Sequence, residues 1–133
     1  MAGTFEIVSL NYVSIYVRDV SEALAFYSEV FGPPTYREDD GRINGFKMGD
    51  TWLTVFSSDQ GTEPGKNPRN AEFAIQVATT GQVDNLHAAL VAAGAVDIWK
   101  PEDTTMYEPM RFAAVDDPFG VRIDIYCPLR KPS

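Results

Sequence analysis

Tyr12-Val13-Ser14-Ile15-Tyr16-Val17-Arg18-Asp19 and, sixty residues later, Glu72-Phe73-Ala74-Ile75-Gln76-Val77-Ala78-Thr79 are two versions of one pattern. Val13, Ile15 and Val17 alternate with Tyr12, Ser14 and Tyr16. Phe73, Ile75 and Val77 alternate with Glu72, Ala74 and Gln76. A period of two predicts a strand with one buried aliphatic face and one face of different chemistry. Each octet runs into a helix start. Asp19 with Glu22, and Thr79 with Gln82, have the spacing of a capping box, in which the first side chain caps backbone N–H groups and the fourth reaches back. Leu24, Tyr27 and Phe31 then form an apolar stripe, as do Val83, Leu86, Leu90 and Ala93. Gly32 and Gly94 stand where a left-handed stop is expected.

Outward from this repeat, short strands fill each half. Strands are expected near 35–39, 42–48 and 51–57, with two-residue turns at Asp40-Gly41 and Gly49-Asp50. In the second half they are expected near 96–100, 110–115 and 121–127. A loop containing Pro101 and Pro109, and the turn Asp117-Pro118-Phe119-Gly120, separate them. The stretch 58–70 has two prolines, two glycines and no periodicity, and reads as a linker. The chain is thus expected to be one α+β domain over 1–133. Module one occupies about 7–57 and module two about 71–128, each β-α-β-β-β, together forming a cupped, mostly antiparallel eight-stranded sheet with helices on the convex face.

Bulk properties narrow the function classes. The 133 residues carry a net charge of −8 with 11 scattered basic residues, the only tight basic group being Arg130-Lys131. Nucleic acid is therefore a poor partner, because phosphate binding needs clustered Lys and Arg. The acidic balance serves solubility and mildly favours cationic ligands. No apolar run approaches the roughly 20 residues of a membrane span. The N-terminus lacks a basic start followed by an apolar stretch, and Cys127 is the sole cysteine. A cytoplasmic protein without an internal disulfide is the expectation.

The pattern Tyr12–Asp19 leading into Ala25-Phe26-Tyr27 and Val30-Phe31-Gly32 resembles the vicinal oxygen chelate superfamily. So does Asp117-Pro118-Phe119-Gly120 followed by Ile123-Asp124-Ile125. That superfamily includes glyoxalases, extradiol dioxygenases, fosfomycin-modifying enzymes, methylmalonyl-CoA epimerases and bleomycin-resistance proteins. The resemblance spans about residues 7–128 and is specific for the fold rather than the activity. It implies a homodimer and, in the enzymes, a divalent metal held in the cup at four positions. These fall here on Tyr12, Thr54, Glu72 and Asp124, where the family commonly has His, Glu or Gln, His and Glu. Tyr and Thr are poor ligands for Zn, Ni, Fe or Mn, and two carboxylates alone hold Mg or Ca weakly. The only histidine, His87, falls in the second helix, where it reads as a surface or boundary residue away from the cup. No metal and no cofactor are expected.

Alternation supplies a different inventory for the cup. The inward residues are Tyr12, Ser14, Tyr16, Glu72, Ala74 and Gln76 on the opening strands, and Trp52, Thr54, Phe56, Arg122, Asp124 and Tyr126 on the closing strands. Aromatic walls with a few placed polar groups are the make-up of a small-molecule site, and aromatic faces attract cations. Facing each other across the cup, Glu72 and Asp124 would raise one pKa or together receive an amine. Equally, Arg122 neutralises Asp124. Met106, Tyr107 and Met110 either line one mouth or pack over the sheet edge. Trp99 either lines that mouth or covers a dimer seam. The sequence therefore predicts a metal-independent protein that binds an aromatic or partly cationic small molecule, similar to the bleomycin-resistance branch. The alternative is a lyase, isomerase or dioxygenase of the same superfamily with an atypical or absent metal, using Glu72 or Asp124 as base and Tyr12 as proton donor. A third reading is an interaction module with a vestigial cup.

Overall fold

The computed structural model describes residues 6–61, 71–105 and 108–129; Met106, Tyr107, Arg130, Lys131 and most of the expected linker lie outside them. Module one runs β1 (Tyr12–Val17), α1 (Val20–Phe31), β2 (Tyr36–Glu38), β3 (Ile43–Met48) and β4 (Thr51–Ser57). Module two runs β5 (Glu72–Gln76), α2 (Thr80–Ala93), β6 (Val96–Thr104), β7 (Met110–Asp116) and β8 (Arg122–Pro128). The eight strands divide into two hydrogen-bonded sheets of four, ordered β1-β4-β3-β2 and β5-β8-β7-β6, rather than one continuous sheet. In each sheet the opening strand pairs in parallel with the closing one, and the remaining pairs are antiparallel. No described helix is long and apolar enough to cross a membrane.

The helices begin where their caps predict. Glu22 N–H donates to Asp19 Oδ1 at 3.0 Å, and Gln82 N–H to Thr79 Oγ1 at 3.2 Å. Gln82 Oε1 reaches back to the N–H of Ala78, one residue before the cap. Both helices stop at a glycine of positive φ, +81° at Gly32 and +126° at Gly94. The two residues Gly49-Asp50 do join β3 to β4, since Met48 pairs with Thr51. The expected two-residue turn at Asp40-Gly41 is instead a four-residue connection containing a one-turn 3₁₀ segment. Asp39, Asp40 and Gly41 all take positive φ there, a conformation that Asp tolerates better than most residues. The strand beginning at Val96 also runs on through Pro101 to Thr104 where a loop was expected.

Strand alternation sorts side chains as anticipated. Ile15, Val17, Leu53, Val55, Ile123 and Ile125 join Ala23, Phe26 and Tyr27 of α1, and Val83 and Leu90 of α2, in one core. The α2 stripe contains a surprise, because His87 is buried between Val83 and Leu90 rather than lying at the surface. Its Nε2 is 2.9 Å from Asp97 Oδ1 on β6, which satisfies the ring on the helix side of the sheet.

The two modules meet at a buried polar knot. Asp117, 3% exposed, opens the β7–β8 turn; its Oδ1 accepts from Phe119 N–H at 2.8 Å and Val121 N–H at 2.9 Å. Its Oδ2 accepts the phenol of Tyr27, delivered by α1 of the other module. Burial pushes the Asp117 carboxyl above its usual range and Tyr27 well above the ordinary phenol range, so the phenol keeps its proton and remains the donor. Around the knot, Phe26 packs edge-on against both Tyr27 and Phe119. Replacing Tyr27 by Phe strands one buried acceptor and is expected to cost about 1–3 kcal/mol in urea unfolding. Asp117→Ala should cost more, because three donors lose their partner. A Tyr27→Phe protein as stable as wild type would show that the knot contributes nothing net.

Candidate functional site

The face of the second sheet turned away from the helices is set by register. On β8 it carries Arg122, Asp124 and Tyr126. Beside these stand Glu72, Ala74 and Gln76 on β5, and Met110, Phe112 and Ala114 on β7. All of these except Gln76 line a cavity of about 410 Å³, closed on its far side by Ile98 and Trp99 of β6. That volume lies in the range of small-molecule sites, roughly 300–1,000 Å³. Gln76 stands at its edge, accepting from Tyr126 O–H at 3.3 Å. Phe112 and Ala114 were absent from the sequence-derived inventory. Their signal was alternation with Met110, which the equally apolar Ala113 and Val115 on the opposite face obscured. Trp99 and Met110 both line this cavity.

Charge in the cavity is arranged unexpectedly. Arg122 offsets Asp124 only in part. Its Nε donates to Asp116 Oδ1 at 2.8 Å and its Nη2 to Asp116 Oδ2 at 3.3 Å, across the β7–β8 pair. The guanidinium is held by a carboxylate that is itself 8% exposed. Glu72 and Asp124 are then left to each other. They do not face each other across a cup as expected, but sit diagonally on adjacent strands, Glu72 opposite Arg122 and Ala74 opposite Asp124. The Asp124 carboxyl is pushed up to about 7, first by burial, then by its hydrogen bond with Glu72 and the like charge there; Arg122 opposes the rise only in part.

The corresponding face of the first sheet is chemically quiet. Ser14 and Thr54 share a hydrogen bond of 2.6 Å, and Thr54 Oγ1 also donates to Val13 O at 3.3 Å. Tyr16 stacks on Phe56 with centroids 5.1 Å apart, and Tyr12 is 62% exposed. Trp52 lies under Lys47 Nζ, 4.8 Å from the ring centroid. It lines a different crevice of about 860 Å³ that runs from the β3–β4 turn to β5 and touches Glu72 and Ala74 on the way. The acidic cavity thus takes its walls from module two alone. It unites Glu72, Arg122, Asp124 and Tyr126, while Tyr12, Ser14, Tyr16, Trp52, Thr54 and Phe56 stand outside its lining.

The four positions that the family resemblance assigns to a metal do not suit a transition metal. They offer an exposed phenol, a hydroxyl already engaged by Ser14, and two carboxylates engaged with each other. The one imidazole is bonded to Asp97 on the helix side. Among the described residues no three His, Cys, Asp or Glu side chains gather into a ligand set.

The acid pair has a signature in stability. Folding raises the pKa of Asp124 from the ordinary aspartate range, about 3.9, to about 7. Its stabilising contribution is therefore complete below pH ~4 and is lost as pH rises through ~7. Asp117 shifts in the same direction, so the informative quantity is a difference between proteins. The stability of Asp124→Asn relative to wild type, from urea unfolding, should improve between pH 5 and pH 8. A difference that stays constant over that interval would show that folding does not raise the Asp124 pKa.

A model of the Glyoxalase/Bleomycin resistance protein/Dioxygenase superfamily matches residues 9–125. No curated protein matches the chain at significance. Among solved structures, a glyoxalase/bleomycin resistance protein from Albidiferax ferrireducens T118 is similar with a TM-score of 0.73. It is 18% identical, over 89% of this chain and 98% of that one. A glyoxalase/bleomycin resistance protein/dioxygenase family enzyme from Burkholderia phytofirmans PsJN has a TM-score of 0.69 and 25% identity, over 90% and 98%. A glyoxalase-related enzyme from Fulvimarina pelagi has a TM-score of 0.71 and 21% identity, over 91% and 88%. With the paired modules, their parallel opening and closing strands and the extent of the match, the chain belongs to the Glyoxalase/Bleomycin resistance protein/Dioxygenase superfamily.

Proposed function

We propose that the protein binds a small organic molecule bearing a positively charged nitrogen and an apolar or aromatic body, in the cavity of the second sheet and without a metal ion. The observation that carries this reading is the pairing of Arg122 with Asp116, which leaves Glu72 and Asp124 hydrogen-bonded to each other and only partly offset by the Arg122 charge. An ammonium group placed between the two carboxyls would relieve their repulsion and donate charge-assisted hydrogen bonds to them. The body of the ligand would replace water against Phe112, Tyr126 and Met110. Lewis-acid chemistry has no role in this reading, because it draws affinity from carboxylates and aromatic faces alone.

Phenethylamine and its uncharged counterpart, phenethyl alcohol, separate charge from shape. Isothermal titration near pH 8 should give the amine an affinity at least about tenfold higher than the alcohol, which is about 1.4 kcal/mol. The amine should also raise the melting temperature by mass action. Glu72→Gln should remove most of the difference between the two compounds while leaving the fold intact, since Glu72 is exposed at the cavity floor. Equal affinity for amine and alcohol, or no binding of either, would overturn the reading.

A further inference from the structure

The second strand of module two, β6, is not a regular strand. Its pairing with β7 runs Asp97 to Val115, then Trp99 to Ala114, then Glu102 to Phe112. Two residues of β6 span one of β7 at the first step, and three span two at the second. Each step therefore inserts one extra residue, and each reverses the face on which the next paired side chain falls. Asp97 faces the helices, where it holds His87. Strict alternation would send Trp99 to that same side and Glu102 to the opposite one. The first bulge turns Trp99 into the cavity beside Ile98, and the second keeps Glu102 on the same face as Trp99. Pro101, which has no N–H to give a ladder, lies within the second irregular stretch.

The result is an aromatic wall anchored at two points. Trp99 Nε1 donates to Glu102 Oε1 at 3.0 Å, and its ring meets Phe112 edge-on at 5.5 Å and 85°. The indole is nevertheless 40% exposed, and the neighbouring Ile98 equally so. Two adjacent large apolar residues lining a cavity while remaining this open have a free face for something else to cover.

We propose that the double bulge in β6 makes Trp99 the specificity-determining wall of the cavity, selecting ligands whose body is a flat aromatic ring over saturated bodies of equal size. This rests on the reading of the cavity as a site for organic cations. The anchoring is what confers selectivity: an indole tied at its N–H and braced at its edge presents its π-face in one orientation, whereas a free side chain would adapt to either shape. Glu102 acts through Trp99 as a positioning residue.

Phenethylamine and cyclohexylethylamine carry the same ammonium on rings that differ in flatness. In wild type the aromatic amine should bind about three- to tenfold more tightly, the range expected of one aromatic contact beyond burial. Trp99→Leu should bring that ratio close to one by weakening phenethylamine more than cyclohexylethylamine. Trp99→Phe should retain part of the ratio, and Glu102→Ala should lower it without changing the melting temperature materially, whereas Glu102→Gln, whose amide oxygen still accepts from Nε1, should preserve it. Because Trp52 and Trp99 are the only tryptophans, the Trp52→Phe protein reports from Trp99 alone, and its emission should change when either amine binds. If both amines bind wild type equally, or if Trp99→Leu keeps the ratio, the selectivity proposal falls and the cation site stands. Failure of both amines to bind removes the site itself.

Discussion

One buried carboxylate ties the molecule together. Asp117 accepts two backbone N–H groups of its own turn and the phenol of Tyr27 from the other module. A carboxyl at 3% exposure is tolerable only because its oxygens are occupied. The same three bonds shape the turn that delivers β8 and dock α1 against it. Since β8 carries Arg122, Asp124 and Tyr126, the placement of the cavity floor depends on a contact made on the opposite side of the sheet. Phe26 and Phe119 add apolar area around the knot, but area alone has no direction. The hydrogen bond from Tyr27 adds direction to that contact.

From that turn outward, a chain of pairings distributes charge. Asp116, next to the knot, takes both arms of the Arg122 guanidinium. A bidentate pair this shielded competes strongly for the arginine. What remains is an acidic pair in a partly enclosed cavity, where repulsion is weaker in its consequences than full ionisation because a proton is retained near neutrality. Several other acids are matched to cations: Arg111 is gripped by Asp84 at 2.6 and 2.9 Å and by Asp103 at 3.0 Å, and Asp97 binds Lys100 at 2.8 Å as well as His87. Glu72 and Asp124 differ from those pairs in bonding to each other.

The features legible in the sequence were the local ones. Period-two alternation gave the strands and the buried side of β1, β4 and β8, and the caps at Asp19 and Thr79 placed both helix starts, because each signal is contained within a few residues. What lay hidden involved pairing at a distance. That Arg122 prefers Asp116 to Asp124 depends on cross-strand register, and that His87 is buried depends on Asp97 coming back beneath it. The bulges in β6 defeated alternation outright, since Val96–Thr104 has no local mark of where an extra residue is inserted beyond the presence of Pro101. The inward list therefore contained Glu72, Asp124, Arg122 and Tyr126, and lacked Ile98, Phe112 and Ala114.

The contrast between the two modules explains why equivalent positions have unequal chemistry. Both sheets present the same backbone face, opening strand beside closing strand, with matched registers. In the first, Ser14 and Thr54 satisfy each other, and Tyr16 rests on Phe56. In the second, the equivalent places hold Ala74 with Asp124, and Gln76 with Tyr126, alongside Glu72 and Arg122. A hydroxyl pair is neutral and complete, and asks nothing of solvent or ligand. A carboxyl pair beside a guanidinium already engaged is incomplete in charge. The fold is the same in both halves; the difference lies in which half leaves an interaction unmade, and only the second does so within an aromatic enclosure.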